Sequence, residues 1–411
     1  IGSLTSSVRI NENDSSRIAD DGATDKSYFK GVYDGKIATA EAQLDLSRGR
    51  FSSLFGAGVY GEKMFFNTYF YSNAFGFPYE AVINYDTINT SANTLYAFGK
   101  AAYDLGRFNV AAGVRLSRHE MFGTYATFEF NPSYRLENGL IYASASTGYN
   151  APSLYQLFDP TMSGNVYTNR GNEKLGAEGS ISIEAGFKHE FSRGSYFTAS
   201  IFRTVVDNGI EYVYLWNGST PEDELTYEDF AGDTYLNVSR QTTQGIEIAG
   251  KMVLTQRFSL AGNFSWLHGK SVITEADIDR VKTGDNHIQL FNYGAFLDGK
   301  LEQAKLVRRP SLLGNAQLNW APNGRWTFSA AYRLAGSRYD SWYDALAGPF
   351  GALGRTQVAQ YQLFDLSSTM RINKHLAVAG KIENVFDTNY AEIQGYRTRG
   401  RSLYIKISYQ L

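Results

Sequence analysis

Two rhythms run through this chain together. Apolar and polar residues alternate at period two in stretches of about nine residues or more, and the connections between those stretches are short and long by turns. In 180–188, Ile181, Ile183, Ala185 and Phe187 share one face while Ser182, Glu184, Gly186 and Lys188 share the other. Ile246, Ile248, Met252 and Leu254 oppose Glu247 and Lys251. Phe258, Leu260, Phe264 and Trp266 oppose Ser259, Asn263 and Ser265, and Trp326, Phe328 and Tyr332 oppose Thr327, Ser329 and Arg333. The last segment, 401–411, sets Leu403, Ile405, Ile407, Tyr409 and Leu411 against Ser402, Lys406, Ser408 and Gln410. About sixteen such segments can be counted, each the length a tilted strand needs to cross a bilayer. Successive side chains of a strand point to opposite faces, so every segment reads as a strand with one oily side and one wet side.

That pattern suits a soluble sandwich as well as a membrane barrel, because both give a strand one apolar side. The connections separate the two. Short turns fall near 47–50, 104–107, 137–139, 192–195, 255–257, 322–325 and 373–375. Longer segments lie near 11–27, 67–91, 150–179, 207–233, 269–304, 337–356 and 387–398, with 120–124 a modest exception. An up-and-down barrel puts turns at one end and loops at the other; a Greek-key sandwich has no reason to. The fold class expected is all-β, a transmembrane up-and-down antiparallel β-barrel forming one domain over 1–411, its apolar face toward outer-membrane lipid. The final strand follows a long segment, which sets the C-terminus at the short-turn end, periplasmic in bacterial barrels, and leaves the long loops extracellular. Phe51, Phe108, Phe191, Phe197, Phe258 and Trp326 stand beside short turns, where an interfacial girdle belongs. Plain strand propensity would also put aromatic residues there.

Composition removes several functions. With 29 Tyr and 27 Phe against only 8 Pro, the residues are those of strands. The absence of cysteine excludes disulfides, thiolate metal sites and thiol nucleophiles together. A formal charge of -2 supplies no field for nucleic acid, and no nucleic-acid partner is expected. No window approaches the ~18 consecutive apolar residues of a spanning helix. The histidines, at 119, 189, 268, 287 and 375, are scattered, and neither a nucleophile elbow nor a phosphate-cradling glycine loop is present. Neither an enzyme nor a cofactor is expected.

Several runs carry a resemblance. Residues 336–340 (GSRYD), 375–382 (HLAVAGKI) and 384–387 (NVFD), then Tyr390, Gly395, Tyr396, Gly400, Arg401, Ser408 and Tyr409, resemble the closing strands of the cobalamin members of the TonB-dependent receptor family. Upstream, 146–157 (STGYNAPSLYQL), Asn172, Leu175, Glu178 and 244–247 (QGIE) are similar to segments shared by TonB-dependent receptors generally. Gly176 and Ala177 stand where that family commonly has Pro, and Leu411 where it ends on Phe. The resemblance covers roughly residues 28 to 411, most densely after Arg308. It implies an outer-membrane receptor for high-affinity, TonB-energised uptake of cobalamin or another corrinoid into the periplasm, with the TonB complex met through an N-terminal plug and a surface lipoprotein as a candidate partner. The family's barrel has about twenty-two strands, so the plug and the first strands are expected to lie outside these residues. A siderophore or other chelate receptor is the first alternative. About sixteen strands is also a porin count, which leaves a passive porin open, and an adhesin is the remaining alternative.

The resemblance places Arg308, with Arg309 beside it, where the family offers an arginine to the corrinoid. A guanidinium there donates in a fork to amide or phosphate oxygens. The plainer reading is a rim arginine that meets solvent or a loop carboxylate. Aromatic residues of the long segments form a second candidate set: Tyr69, Phe75, Phe77 and Tyr79; Tyr155, Phe158 and Tyr167; Tyr212, Tyr214 and Trp216; Trp342, Tyr343 and Phe350. Flat side chains with polar tips suit a large ring system, although they could equally pack the loops against one another. Tyr155, Tyr212, Trp216, Tyr339, Trp342 and Tyr343 join Arg308 and Arg309 as the expected ligand contacts. Two acidic groups, Asp14, Asp20, Asp21 and Asp25, and Glu222, Asp223, Glu224, Glu228 and Asp229, offer calcium in the outer loops as a candidate, against solvated surface charge. Glu184, Lys188, Glu247, Lys251, Lys381 and Glu383 are expected on the inner wall, facing water or the plug.

Overall fold

The alternating segments form strands, and each pairs with its neighbour in sequence. The computed structural model describes residues 3–20, 22, 24, 27–73, 78–84, 90–159, 170–275, 278, 280–304, 306–346 and 351–410. In chain order the elements are β1 (Ser3–Asp20), β2 (Ser27–Arg48), β3 (Phe51–Ser72), β4 (Tyr79–Asn84), β5 (Ser91–Asp104), β6 (Phe108–His119), β7 (Gly123–Leu136), β8 (Gly139–Asn150), α1 (Leu154–Phe158), β9 (Glu178–Glu190), β10 (Tyr196–Trp216) and β11 (Phe230–Val253). There follow β12 (Phe258–Thr274), β13 (His287–Leu290), β14 (Ala295–Phe296), β15 (Lys300–Ala304), β16 (Leu312–Trp320), β17 (Trp326–Ala335), β18 (Arg338–Asp344), β19 (Ala352–Val358), β20 (Tyr361–Arg371), β21 (Leu376–Glu383) and β22 (Ser402–Tyr409). The sixteen strands β1 to β3, β5 to β12, β16, β17 and β20 to β22 are joined each to the next by antiparallel ladders. Among the described residues β1 pairs only with β2 and β22 only with β21. Unpaired backbone groups cost several kcal/mol each in hydrocarbon, so in a bilayer both edges require partner strands.

Register sorts the side chains into rows. Met252, Leu260, Leu318, Ala330, Leu366, Ile382 and Leu403 are direct cross-strand partners in succession from β11 to β22. One residue over, Ser259, Asn319, Ser329, Ser367, Lys381 and Tyr404 make the adjoining row from β12 to β22. The first row is apolar and the second polar along its length, so the sheet has one greasy side and one wet side. The greasy side is uncovered: Leu260, Leu318, Leu366, Ile382 and Leu403 are all exposed, as are Ile181, Ile183, Ile201, Ile246 and Ile407 elsewhere. Each such side chain gains about 1.5–3 kcal/mol on leaving water, which commits this face to apolar surroundings. At the short-turn end Phe51, Phe108, Phe191, Phe197 and Phe258 are exposed too, and Phe258, Trp320, Phe328 and Trp326 stack in series at centroid distances of 5.9, 5.2 and 5.6 Å.

The wet side is tied together by its own polar groups. Lys100 pairs with Glu129 at 2.6 Å, Lys381 with Glu383 at 2.6 Å, and Arg333 with Asp365 at 3.3 Å. Tyr142 lies flat across its partner Gly186, where any Cβ would collide with the ring, and from there its hydroxyl donates to Glu184 at 2.7 Å. A glycine opposite an aromatic residue thus lets the ring lie along the wall.

The short turns fall where the alternation places them, at 49–50, 105–107, 137–138, 191–195, 254–257, 321–325 and 372–375. Several of the longer segments depart from their expected character, while 387–398 carries no strand. Residues 11–20 belong to β1 and stay in ladder with β2, β10 runs on to Trp216, and 269–304 contains three further short strands. Hydrophobic alternation lapses there because neither side of the sheet faces lipid, while the backbone pairing that the alternation served as a marker for continues. On β10 the change is marked by register shifts between Val206 and Ile210, with Asn208 at φ 62. Asn, with a short polar side chain, tolerates this left-handed backbone, and its amide donates to Ala177 O at 2.8 Å.

Candidate functional site

Beyond the ten or so residues that a tilted strand needs to cross a bilayer, β10 and β11 rise as a hairpin whose upper part has a true interior. Val213, Leu215, Leu236 and Val238 pack with Ile273, Ile278, Ile288, Leu290 and Leu297 into a buried cluster. β13 lies against the top of β10, pairing Val213 with Leu290 and Trp216 with His287. Trp216 is completely buried between these elements and donates its indole N–H to Gln289 Oε1 at 3.0 Å. Of the expected ligand contacts it is the one with no surface to offer: its place is inside the cap, holding β13 to β10.

The alternate residues of β10 build a second feature. Tyr212 donates to Asp233 Oδ2 at 2.6 Å, and Arg170 grips the same carboxylate with Nε at 2.7 Å and Nη2 at 3.0 Å. Through Nη1 the arginine also reaches Asp159, fully buried, at 3.3 Å. Burial, with the Asp233 carboxylate beside it, pushes the Tyr212 hydroxyl well above its ordinary range and keeps it a donor. Burial opposes the charge on Arg170, but Asp233, Tyr212 and Asp159 more than offset it and raise its pKa. The stretch 151–159, with 170–177, is thereby pinned to the hairpin. Its helix α1 is capped by Ser153 and Gln156 in a reciprocal pair and buries Leu154 and Leu157. Asn172 donates to Tyr235 O at 2.9 Å, and Glu178 accepts from the Ile210 N–H at 3.0 Å.

Tyr155 on α1 completes a run of rings. Tyr33 stacks on Phe66 at 4.4 Å, Phe66 meets Tyr155 at 5.9 Å, Tyr155 meets Tyr235 at 6.5 Å, Tyr235 meets Tyr212 at 5.3 Å, and Tyr212 meets Phe291 at 5.3 Å. The run begins on β2 and β3 and ends beyond β10, although β5 to β9 separate those strands in the sheet. A contact of that kind requires a segment that crosses the inner side of the wall. The rings form an arch over one end of the polar interior.

A third feature stands at β18 and β19, which form a hairpin of their own. Arg308 donates from Nε to Asp340 Oδ1 at 2.6 Å, so the plainer expectation of a rim arginine with a loop carboxylate describes its contact, while its side chain remains more than half exposed. Arg309 is exposed beside it. Tyr339 lies under the Arg355 guanidinium at 4.3 Å, and Trp342 and Tyr343 are about half exposed on the hairpin. Leu353 N–H donates to Phe291 O at 2.9 Å, linking this hairpin to the end of the arch. The 384–400 segment and the wall line an open polar cavity of ≈ 520 Å³, with Arg333, Asp365, Lys381, Glu383, Tyr390 and Arg397 among its residues.

The structure therefore gathers Tyr155 and Tyr212 into the arch and groups Arg308, Tyr339, Trp342 and Tyr343 at the second hairpin. Tyr167, Phe75, Phe77 and Phe350 lie outside the described residues, as do Asp21 and Asp25. The residues that join these features, Asp340, Arg170, Asp233, Tyr235 and Phe66, are not singled out by sequence. Asp340 ends the GSRYD run, the one available signal. For calcium, no group of three or more His, Asp or Glu side chains among the described residues is placed to hold a metal ion. Asp229 is taken up as a turn cap, accepting from Thr220 Oγ1 at 2.6 Å and from the Thr226 N–H at 2.9 Å.

A meander with an apolar skin, a polar inner wall, short turns at one end and strand-built loops arching over the other defines a transmembrane β-barrel of the outer-membrane class. The chain belongs to the TonB dependent receptor-like β-barrel family, which matches residues 3–385. Its fold is similar to that of the copper transporter OprC, with a TM-score of 0.66 at 15% identity over 99% of this chain and 62% of that one. It is also similar to the ferripyoverdine receptor of the outer membrane of Pseudomonas aeruginosa, at 0.65 and 14% over 99% and 54%. The ferric yersiniabactin uptake receptor FyuA from Yersinia pestis matches at 0.62 and 14% over 98% and 57%. The chain thus spans less than two thirds of the length of the solved structures it matches.

Proposed function

We propose that these residues form the wall and outer loops of a receptor that captures cobalamin or a related corrinoid at the cell surface and admits it to the periplasm, with TonB supplying the energy. The observation that carries this reading is the aromatic arch beside an arginine-bearing hairpin over a polar interior. A large, flat, amide-fringed ring system needs apolar faces for its plane and donors for its rim. The runs 336–340 and 375–387, similar to those of the cobalamin members of the family, support the same ligand. In this reading the long loops are extracellular, the C-terminus is periplasmic, the skin meets outer-membrane lipid, the charged inner wall faces a plug, and a surface lipoprotein is a candidate partner. Passive porin conduction fits poorly with a segment arched across the interior, and an enzymatic role is not proposed, since the family is one of transporters.

A second reading, uptake of a metal chelate such as a ferric siderophore, is favoured by the similar folds, whose names cite copper, ferripyoverdine and ferric yersiniabactin. Equilibrium titration of the detergent-purified full-length receptor with cyanocobalamin, and separately with ferric chelates, decides between them. Saturable binding of cyanocobalamin below about 1 μM with no retention of the chelates is the expected result. Retention of a chelate alone overturns the corrinoid assignment, and steady ion conductance through planar bilayers without either ligand overturns the receptor reading.

A further inference from the structure

The start of β18 is a knot between two segments far apart in sequence. Arg308, at φ 57, holds a left-handed backbone that a long side chain rarely adopts, and its N–H donates to Tyr339 O at 2.7 Å. Its Nε donates to Asp340 Oδ1, which also accepts from the Ser341 N–H at 2.8 Å. The other oxygen, Oδ2, accepts from the Gln394 N–H at 2.7 Å. Asp340 is entirely buried. Two residues earlier Arg338, buried as well, donates to Ala391 O at 2.9 Å and Glu392 O at 3.2 Å. One strand end therefore fixes both the segment bearing Arg308 and the segment bearing residues 391–394.

A fully buried carboxylate is a costly fixture unless each oxygen is satisfied, and here three donors satisfy it. Its location matters for the arginine. The bond to Nε takes the inner edge of the guanidinium, while Nη1 and Nη2 make no hydrogen bond among the described residues on a side chain more than half exposed. A free arginine loses much of its rotamer freedom when a ligand fixes it; one already held by Nε and by its backbone loses that freedom on folding.

We infer that Asp340 is a positioning residue for ligand capture: its carboxylate orients Arg308 so that the Nη pair faces a ligand's amide, carboxylate or phosphate oxygens. This rests on the receptor reading above. Burial drives the Asp340 pKa upward, but the Arg308 guanidinium and the Gln394 and Ser341 N–H groups outweigh it and hold the carboxyl below its ordinary value, so Arg308 faces an anion throughout the neutral range.

The test is a double-mutant cycle on the full-length receptor with cyanocobalamin and a ferric chelate as probes. Asp340→Asn keeps one oxygen, turns the other into an amide NH2 that meets a former donor, and removes the charge that holds Arg308. It is expected to weaken binding of the retained probe about tenfold in the wild-type background and less than about twofold in an Arg308→Ala background. Equal losses in both backgrounds show a purely structural role and overturn the proposal. A ligand-free measurement covers the case in which neither probe binds, which counts against the receptor reading. Exchange of the Arg308 Nε–H, followed by NMR against exposed Arg309, is expected to be at least about tenfold slower in the wild type and to rise to the Arg309 rate in Asp340→Asn. Equal rates for the two arginines in the wild type overturn the positioning assignment directly.

Discussion

Leu318 and Leu236 sit in strands of the same meander, yet the first is 41% exposed and the second 2%. Leu318 belongs to the wall, where apolar residues form an uncovered outer row and polar residues knit the inner one. Leu236 belongs to the cap, where apolar residues close on one another as in a soluble domain. The two regions share strands β10, β11 and β12, so the reversal happens within single strands and owes nothing to a change of secondary structure. What changes is the solvent. Alternation with the greasy side outward is stable only against hydrocarbon, and above that level the same backbone must build its own interior. The wall should accordingly depend on the lipid around it and the cap on its packing, each able to fail while the other holds.

Trp216→Ala should show the largest effect. Removing a fully buried indole from the cap costs about 3–5 kcal/mol and takes the indole N–H away from Gln289 Oε1. Hydrogen exchange should show amides of 213–216 and 287–290 losing protection, while the urea midpoint of the wall in lipid vesicles stays put. A wall that unfolds together with the cap would break the comparison. Arg170→Met comes next, at about 3 kcal/mol, toward the low end for a buried pair because the guanidinium is partly exposed. It takes the shared guanidinium away from Asp159 and Asp233, and proteolysis within 151–159 and 170–177 should accelerate without loss of barrel heat-resistance.

The wall is tested by a substitution that the cap would hardly feel. Ile183→Arg on the apolar side should cost about 2–3 kcal/mol in vesicles, whereas Ser182→Arg, one residue away on the wet side, should cost about 1 kcal/mol for its lost bond to Thr204. Equal costs would mean that the two sides are not chemically distinct.

Much of the wall was legible because lipid imposes a simple code: a strand in hydrocarbon must alternate, and 180–188 and 401–411 do. The cap was not, because its code is tertiary. Nothing in 11–20 or 207–216 announces a strand once the alternation lapses, and Trp216 reads as a ligand ring until β13 is seen to cover it. Arg170 and Asp233 are 63 residues apart, and only the fold brings them together. The NVFD run lies between these cases. The resemblance it carries has a physical cause: Asn384 and Asp387 both hold left-handed backbone, at φ 51 and 54, and their side chains accept from the Thr388 and Arg401 N–H groups. Such a turn demands those residue types, so its sequence is visible even where its role is not.

The smallest effect concerns acid, and it divides the cap itself. Hydrogen bonds to Asp229, from Thr220 first and then from Thr226, pull its carboxyl down to about 2. Since this lies below the ordinary carboxylate value of about 4, the ionised form is favoured in the folded turn. Its contribution is complete above about pH 4 and is lost as pH falls through about 2. The 217–229 turn should therefore loosen in that window, seen as a falling protection factor at the Thr226 amide. Leu290, in the dry cluster, should keep its protection, because no carboxyl supports it directly. Asp229→Asn should flatten the dependence while leaving Leu290 unchanged. A Thr226 protection factor that stays level from about pH 5 to about pH 2, or one that falls in step with Leu290, would show that the cap opens as one unit, and the distinction between its packed interior and its polar rim would have to be given up.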